Sequence, residues 1–236
     1  MRFSVIIPAH NEERYISKCL DSIAEAAKPF PGNVEIIVSL NRCTDQTEQV
    51  AAARGARIVK DDRRVISAVR NTAARAANGE IIVTLDADDC MSPNMLQEVD
   101  RLLSTGKYIG GGSHIRPERL SLGIVVTGLV TAPFVMIHRV SCKLFWCFRD
   151  DYWAIGGFDE TLFTVEDIDF AKRLRAYGKS KGKRFKTITR AHVIVSTRKF
   201  DELGDWHFLR SPRRLFALLG GRDRKAADDY YYNVKR

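Results

Sequence analysis

The stretch Gly79-Glu-Ile-Ile-Val-Thr-Leu-Asp-Ala-Asp-Asp89 decides how the rest of the chain is understood. Residues 81–85 are apolar or β-branched, a length and composition typical of a strand buried on both faces. Three carboxylates in four positions follow, and such a cluster repels itself unless a cation lies on it. Mg²⁺ or Mn²⁺, itself holding phosphate oxygens, suits these ligands. The stretch therefore predicts a strand that ends at a metal and phosphate site, and the competing interpretation is a polar turn in which Asp89 or Ser92 caps a helix.

The segments before this strand alternate between apolar runs and helical patterns. Strands are predicted at residues 3–8, 34–38, 56–59 and 81–85. Apolar residues at helical spacing predict intervening helices at residues 15–23, 47–53 and 65–77. Such alternation is typical of a parallel α/β sheet of the nucleotide-binding type. In these sheets ligands bind beyond the carboxyl ends of the strands, which is where the three carboxylates fall.

The loop after the first strand excludes two other classes of nucleotide-binding protein. A dinucleotide-binding dehydrogenase needs the motif G-x-G-x-x-G at this point, and a sugar nucleotidyltransferase also needs a glycine-rich loop. The segment Pro8-Ala9-His10-Asn11 contains no glycine. Neither interpretation therefore fits the chain.

Four motifs of the first half occur in the order and spacing of one enzyme family. They are residues 5–13 (VIIPAHNEE), residues 35–38 (EIIV) with Thr44-Asp45 downstream, residues 69–71 (VRN) and residues 85–89 (LDADD). In this pattern the chain resembles the family 2 glycosyltransferases over residues 3–175. The resemblance implies a GT-A-like single α/β domain with a mostly parallel central sheet flanked by helices. It also implies a nucleoside diphosphate sugar as the donor substrate and a divalent metal, Mn²⁺ or Mg²⁺, as the cofactor.

The resemblance assigns roles to individual residues of the donor half. The residues that it implies for the nucleotide pocket are Pro8, Ala9 and Glu12. It implies that Arg70 reaches the base or the phosphate of the donor. It further implies that Asp86 lies near the ribose and the metal, and that Asp88 binds the metal directly.

One position departs from the family pattern. Members commonly carry an acidic pair after the second strand, the first of which holds the donor base, and Leu40 and Asn41 stand in those places here. A leucine cannot accept a hydrogen bond from a base, whereas Asn41 can both donate and accept. Uracil recognition through a carboxylate is therefore in question, and a guanine, or a base bound by backbone groups, becomes an alternative. The identity of the donor nucleotide stays open.

A second group of motifs resembles the catalytic half of the same family. Residues 154–160 (AIGGFDE) precede residues 165–170 (VEDIDF). In inverting members the Gly-Gly-Phe turn shapes the acceptor side and the Glu-Asp pair supplies the base. A carboxylate within hydrogen-bond reach can take the proton of a sugar hydroxyl as the new bond forms. We expect Asp167 to be this base, with Glu166 as the second candidate, and the alternative is that these acids only favour a helix amino terminus.

Three residues near the carboxyl end are further candidates for the site. His192, in a predicted strand at residues 187–195, could complete the metal shell as a late histidine does in some GT-A enzymes, although a lone histidine in a strand is more often structural. Arg198 and Lys199 could hold the diphosphate as it leaves, where negative charge develops. In the first half of the chain, Asn41 is also expected to contact the donor.

The basic charge of the chain is concentrated in its carboxyl third. Residues 172–236 hold 19 Lys and Arg against 6 Asp and Glu, whereas residues 1–171 hold 19 against 23. This distribution favours a polyanionic partner, such as nucleotide phosphates or an anionic membrane surface. No nucleic-acid motif is found, so no nucleic-acid partner is expected. The tail from Arg210 to Arg236 could cover the site, touch a membrane or pair two subunits.

The expected organisation is one glycosyltransferase domain over residues 1–236. Its nucleotide-sugar half spans about residues 1–105, its acceptor and base half about 106–200, and its basic tail about 201–236. The five cysteines suggest no disulfide framework and no signal peptide is recognised, so we expect a cytoplasmic protein. The basic region could make peripheral contact with the inner face of the membrane.

Three further stretches carry structural expectations. Residues 110–112 are glycines, which allow either close backbone approach or a flexible joint. Residues 120–137 carry no formal charge, and a buried helix is preferred to a membrane span or to a helix in a membrane interface near a lipid-linked acceptor. The aromatic residues between positions 145 and 153 are expected in the core, with a platform for a sugar face as the alternative.

Together these observations predict a metal-dependent glycosyltransferase. It would move a sugar from a nucleoside diphosphate sugar to an unidentified acceptor hydroxyl, with inversion by analogy with the family. A lipid-linked acceptor is one candidate. The alternative from another class is a non-catalytic nucleotide-sugar-binding module on a remodelled scaffold, for which the Leu40-Asn41 departure is the support.

Overall fold

The computed structural model describes residues 1–138, 143–206 and 224, with the backbone alone at residues 131–138. Within these residues eight strands form one sheet. In chain order they are β1 (Phe3–Ala9), β2 (Val34–Leu40), β3 (Arg57–Lys60), β4 (Ile81–Thr84), β5 (Cys90–Met91), β6 (Tyr108–Pro117), β7 (Trp146–Phe148) and β8 (Arg184–Val195). The helices of the same residues are α1 (Ile16–Ala27), α2 (Thr47–Ala53), α3 (Ile66–Ala76), α4 (Met95–Ser104), α5 (Leu122–His138), α6 (Arg149–Ala154), α7 (Glu166–Ser180) and α8 (Arg198–Leu203).

The sheet is mostly parallel, as the sequence predicts. Its strand order is β3-β2-β1-β4-β7-β6-β8-β5. β1 pairs in parallel with β2 and β4, β2 pairs in parallel with β3, and β6 pairs in parallel with β8. β7 runs antiparallel to β4 and β6, and β5 runs antiparallel to β8. The α/β fold class is therefore confirmed, with antiparallel pairs where the two halves of the chain join.

Apolar side chains on both faces of the sheet explain why these strands form. All seven residues of β1 and all four of β4 are buried. Val5 and Ile7 pack on one face with the apolar side of α1, whereas Ile6 packs on the other with residues of α3 and α7. A strand covered on both faces needs a continuous apolar run rather than an alternating one, and the sequences of β1 and β4 provide it.

The parallel strands bring three loops to one edge of the sheet. Residues 10–12 follow β1, Asn41 follows β2 and Asp86 to Asp89 follow β4. The register pairs Ala9 with Leu40 at the carboxyl ends of β1 and β2. These loops, which the sequence pattern places together, therefore surround one common space.

The glycines at residues 110–112 serve close backbone approach rather than a flexible joint. They lie inside β6, between β7 and β8. A Cβ added at Gly111 would lie 1.7 Å from the carbonyl oxygen of Lys186. No larger residue fits there without moving one strand away from the other.

The prediction that the helix over residues 120–137 is buried is wrong. The helix exists as α5, but Leu122 and Leu129 are 71% and 67% exposed and Val125 is 43% exposed. Gly123 packs closely, since a Cβ there would lie 2.6 Å from the carbonyl oxygen of Asp205. An uncharged composition predicts a helix that avoids water, but it does not specify what covers each side. Within the described ranges no helix combines the length and the hydropathy needed to cross a membrane.

Three of the five aromatic residues at positions 145–153 belong to the core, as predicted, and Phe148 and Trp153 pack against it partly buried. Phe145, Trp146 and Tyr152 are 0–1% exposed. Phe158 stacks on Phe170 with ring centroids 4.3 Å apart. The predicted tail from Arg210 to Arg236 lies outside the described residues, apart from residue 224.

Candidate active site

A cavity of about 350 Å³ lies at the carboxyl edge of β1, β2 and β4. Its size is within the range of sites that hold small ligands. Eleven of the candidate site residues line it: Pro8, Ala9, Glu12, Asn41, Arg70, Asp86, Asp88, Glu166, Asp167, Arg198 and Lys199. The fold thus brings together candidates from both halves of the chain, although they are up to 191 positions apart.

The carboxylates after β4 are paired with cations. Asp86 accepts a hydrogen bond from Arg70 at 2.7 Å and one from the Nζ of Lys143. Burial raises the pKa of Asp86, but the charges of Lys143 and Arg70 outweigh this and hold its pKa well below the usual range. Asp89 is 1% exposed, and its Oδ2 lies 3.0 Å from the Nζ of Lys143. The carboxylate of Asp86 is therefore ionised at neutral pH.

Arg70 joins the end of β4 to the start of α7. Its Nη2 donates to Asp86, and its Nη1 donates to Glu166 at 2.8 Å and to Asp167 at 3.0 Å. The side chain is only 4% exposed, and its guanidinium lies 5.0 Å from the ring centroid of Phe158. A planar guanidinium can hold several carboxylates in fixed positions. Arg70 therefore contacts three acids here, whereas the family pattern implies a contact with the donor base or phosphate.

Glu166 and Asp167 are held at the amino terminus of α7 by an unusual backbone. Val165 precedes the helix with φ 58°, a left-handed conformation that β-branched residues rarely adopt. Backbone strain of this kind is typical of functional sites. Burial, opposed by Arg70 and reinforced by the charges of Glu166 and Asp86, raises the pKa of Asp167 to about 7. A carboxylate with this pKa can accept a proton near neutral pH.

The Gly-Gly-Phe turn is fastened to α3 by Asn71. The side-chain oxygen of Asn71 accepts hydrogen bonds from the backbone N–H of Phe158 and the hydroxyl of Tyr152, at 2.9 and 2.8 Å. Its Nδ2 donates to the carbonyl of Phe158 at 2.9 Å. Gly157 has φ 67°, and a Cβ there would lie 2.6 Å from the Oδ1 of Asn71. The VRN motif therefore supplies two neighbouring functions: Arg70 binds the acids and Asn71 positions the turn.

Leu40 and Asn41 lie in different surroundings. Leu40 ends β2 and packs in the hydrophobic core, whereas Asn41 lines the cavity. The Nδ2 of Asn41 donates to the carbonyls of Asp61 and Arg63 at 2.5 and 2.7 Å. Its Oδ1 is buried and has no hydrogen-bond partner within the described structure. The side chain of Asn41 can therefore act toward a ligand only as an acceptor.

Arg198 lines the cavity beside Glu12 and Asp88. Its guanidinium donates to both oxygens of Glu12, at 2.5 and 2.9 Å, and its Nε lies 3.1 Å from Asp88. The group also lies over the ring of Tyr15 at 5.0 Å. β8 ends at Val195 and α8 begins at Arg198, so the short connection between them places Arg198 at the cavity.

Lys143 is a cavity residue that the sequence did not suggest. It lies between α5 and β7, 57 positions from Asp86, in a stretch that resembles no motif. Burial opposes the charge of Lys143, but Asp86, Asp89 and Asp88 outweigh it and raise its pKa well above the usual value. Only the fold reveals this residue, because the pairing of β7 with β4 is what brings it to the acids.

The ligand types present suit a hard divalent cation. Mg²⁺ is commonly held by one or two carboxylates together with substrate phosphate oxygens, and Asp86 and Asp88 offer two. The ammonium group of Lys143 already stands at Asp86, which shows that this position attracts a cation. Within residues 1–138, 143–206 and 224, no group of three or more His, Cys, Asp and Glu side chains forms a metal cluster. An ion would therefore depend on Asp86, Asp88 and ligand oxygens.

His192 does not line the cavity. It lies in β8, where its N–H donates to the Oγ of Ser92 at 3.1 Å and its carbonyl accepts from the N–H of Ser92 at 2.9 Å. Burial, with the nearby charges of Arg116 and His114, lowers the pKa of its ring. The metal-ligand role of His192 stays a prediction.

The sheet and the loops around its carboxyl edge form a GT-A-type fold. The model of the family described as "Glycosyl transferase family 2" matches residues 4–120, and the chain belongs to this family. The match includes β1 to β6 and the DADD sequence, and it ends just before α5.

Individual relatives extend the similarity over most of the chain. The minor teichoic acid biosynthesis protein GgaA of Bacillus subtilis is 30% identical over 92% of this chain and 52% of its own length. The poly(ribitol-phosphate) beta-N-acetylglucosaminyltransferase TarS of Staphylococcus aureus is 30% identical over 42% of this chain and 18% of its own length. The mannosyltransferase PcManGT of Pyrobaculum calidifontis, solved with GDP-Man and Mn²⁺, superimposes with a TM-score of 0.69 at 22% identity, over 95% of this chain and 64% of that one. The chain thus spans about half of GgaA and less of TarS.

Proposed function

We propose that the chain is a metal-dependent glycosyltransferase that moves a sugar from a nucleoside diphosphate sugar to an acceptor hydroxyl, with inversion at the anomeric carbon. The observation that carries this proposal is the meeting of the acids after β4 and the acids that begin α7 in one cavity, joined by Arg70. Family membership and the nucleotide sugars bound by structural relatives support it.

The donor side of the cavity would hold the nucleoside diphosphate. The Oδ1 of Asn41 would accept a hydrogen bond from the ring N–H of the base, a group that uracil and guanine both have. Arg198 would bind the diphosphate as it leaves, since negative charge develops there in the transition state. A divalent cation held by Asp86 and Asp88 would supply further positive charge at the diphosphate.

Asp167 would act as the general base toward the acceptor. The hydroxyl proton passes to the Asp167 carboxylate as the acceptor oxygen bonds to the anomeric carbon. The bond between that carbon and the phosphate oxygen breaks, and its electron pair leaves with the diphosphate. One displacement from the face opposite the leaving group inverts the configuration. Glu166 and Arg70 would keep Asp167 in place through their shared hydrogen bonds.

The exposed apolar side of α5 supports a lipid-linked acceptor. We assign it to the interface of an anionic membrane, because Leu122, Val125 and Leu129 are exposed and the carboxyl third of the chain is strongly basic. Exposed apolar residues bind a membrane interface by burying apolar area, and basic residues add attraction to anionic lipids. β6, which leads into α5, pairs with the basic strand β8.

A nucleotide-binding panel tests the donor site. Calorimetric titration with UDP, GDP and CDP, each with and without Mn²⁺, should show metal-dependent binding of UDP or GDP. Asp88→Asn should weaken that binding, whereas Asp100→Asn, a change outside the cavity, should leave it unaltered. If no nucleotide binds the wild-type chain at millimolar concentration with Mn²⁺ present, the donor site is not where we place it.

A further inference from the structure

The ammonium group of Lys143 occupies the position at Asp86 that a divalent cation would need. It contacts the carboxylate of Asp86 directly and lies 3.0 Å from the Oδ2 of Asp89. That Oδ2 is fully buried and accepts no well-directed hydrogen bond within the described structure. Asp89 therefore has an acceptor directed at the place where Lys143 now supplies the positive charge.

The backbone holds Lys143 at this place. Its carbonyl accepts a hydrogen bond from the N–H of Ser113 in β6 at 3.1 Å. Two residues later, Phe145 exchanges hydrogen bonds with Thr84 at the end of β4, at 2.8 and 2.9 Å. The side chain of Lys143 therefore starts from a fixed point beside Asp86, and only its flexible stem can move the ammonium group.

The charges of the cavity explain why the ammonium group of Lys143 is needed beside Asp86. The lining contains six carboxylates and five Lys and Arg side chains, so its formal charge is −1 with Lys143 in place. Without Lys143 the formal charge would be −2, and Arg70 would be the remaining cation at Asp86. The acids would then repel one another more strongly, and a diphosphate would meet a more negative wall. A divalent ion and an ammonium group cannot both use the same oxygen of Asp86, because they repel each other and share the same lone pairs.

We propose that Lys143 is a built-in counter-cation that holds Asp86 and Asp89 in the donor-free protein and moves to the donor diphosphate when the divalent metal takes its place. Metal binding alone is then opposed, because the displaced ammonium group loses its partners. When a nucleotide diphosphate enters with the metal, its oxygens receive the ammonium group. Metal and nucleotide therefore bind with positive coupling, and Lys143 is a positioning residue for both. This inference rests on the donor site proposed above.

The test measures Mn²⁺ binding by the electron paramagnetic resonance signal of free Mn²⁺. The wild-type chain should bind Mn²⁺ weakly when no nucleotide is present, and UDP or GDP should increase its affinity at least tenfold. Lys143→Met should bind Mn²⁺ alone at least tenfold more tightly than the wild type does, and the increase produced by nucleotide should shrink. Lys143→Arg, which keeps the charge, should behave like the wild type. Lys186→Met removes an exposed lysine of β8 outside the cavity and serves as the matched control.

Two results would overturn the proposal. One is equal affinity of wild type and Lys143→Met for Mn²⁺ without nucleotide. The other needs only the wild-type chain, and so holds even if the variant does not fold: the same Mn²⁺ affinity with and without a nucleotide that binds. If neither UDP nor GDP binds the wild type with Mn²⁺ present, the proposed donor site itself is wrong. If a nucleotide binds but leaves the Mn²⁺ affinity unchanged, only the proposal for Lys143 is wrong.

Discussion

The Nη1 of Arg70 lies 3.0 Å from the Oδ1 of Asp167, and the same guanidinium bonds Asp86 at the other side of the cavity. A residue of α3 thus fixes the distance between the proposed base and the proposed metal site. We propose that Arg70 holds the proposed base and the proposed metal ligand at a fixed separation.

Replacement of Arg70 should destabilise the protein strongly. Arg70→Met would leave the buried Glu166 and its neighbour Asp167 without their counter-charge and Asp86 with Lys143 alone. Breaking a buried pair of this kind costs about 3–5 kcal/mol. Urea unfolding followed by circular dichroism measures the loss. Arg101→Met, which removes an exposed ion pair on α4, should leave the urea midpoint unchanged. Equal midpoints for the two variants would show that Arg70 does not hold the acids together.

The rate of donor turnover should depend on pH through Asp167. Because the base must be deprotonated and the pKa of Asp167 is about 7, the rate should rise with pH and level off above pH 7 to 8. At pH 6 it should be about tenfold below the plateau. The measurement is nucleoside diphosphate release from pH 5.5 to 9 at saturating donor. A rate that stays flat from pH 5.5 to 9 would exclude a base with this pKa.

Two adjacent glycines should respond differently to alanine. Gly156 and Gly157 both have positive φ values, 80° and 67°, so each alanine should cost about 1–2 kcal/mol in backbone strain. Only Gly157→Ala also meets the Oδ1 of Asn71, so it should cost more and lower turnover. Thermal unfolding of both variants gives the comparison. If Gly157→Ala is no less stable than Gly156→Ala, the contact with Asn71 does not constrain the turn.

Asn41 should contribute to nucleotide affinity through one hydrogen bond. Asn41→Ala removes the unpaired acceptor and should weaken UDP or GDP binding by about 1 kcal/mol, roughly fivefold. It also removes two bonds to the loop at Asp61 and Arg63, so stability must be measured alongside. Calorimetric titration separates the effects, since a purely structural role would lower the melting temperature and leave nucleotide affinity unchanged.

The exposed side of α5 should bind anionic vesicles. The wild-type chain should sediment with phosphatidylglycerol vesicles and remain in solution with phosphatidylcholine vesicles. Leu122→Asp combined with Leu129→Asp should abolish the association, whereas Leu203→Asp on α8 should not. Retention of binding in the double variant, or no binding by the wild type, would remove α5 as the membrane contact.

The sequence predicts the sheet and most of the cavity because both depend on local patterns. Apolar runs specify the strands, and parallel strands bring their carboxyl ends together, so Asp86 and Asn41 are placed by topology alone. Lys143 could not be found in this way, because its contact with Asp86 depends on the pairing of β7 with β4. The exposure of Leu122 on α5 was missed for a related reason: composition indicates that a helix avoids water, but only tertiary packing decides which side is covered.

Release of nucleoside diphosphate from a bound donor by the wild type and by Asp167→Asn tests the central claim most directly. The experiment uses whichever nucleotide sugar binds with Mn²⁺, and water serves as the acceptor. The account predicts metal-dependent release by the wild type, and a fall of about 100-fold or more in Asp167→Asn with donor affinity unchanged. Equal release by the two proteins would contradict Asp167 as the base. A wild-type chain that binds the donor and releases nothing, with or without Mn²⁺, would instead be a binding module on a glycosyltransferase fold.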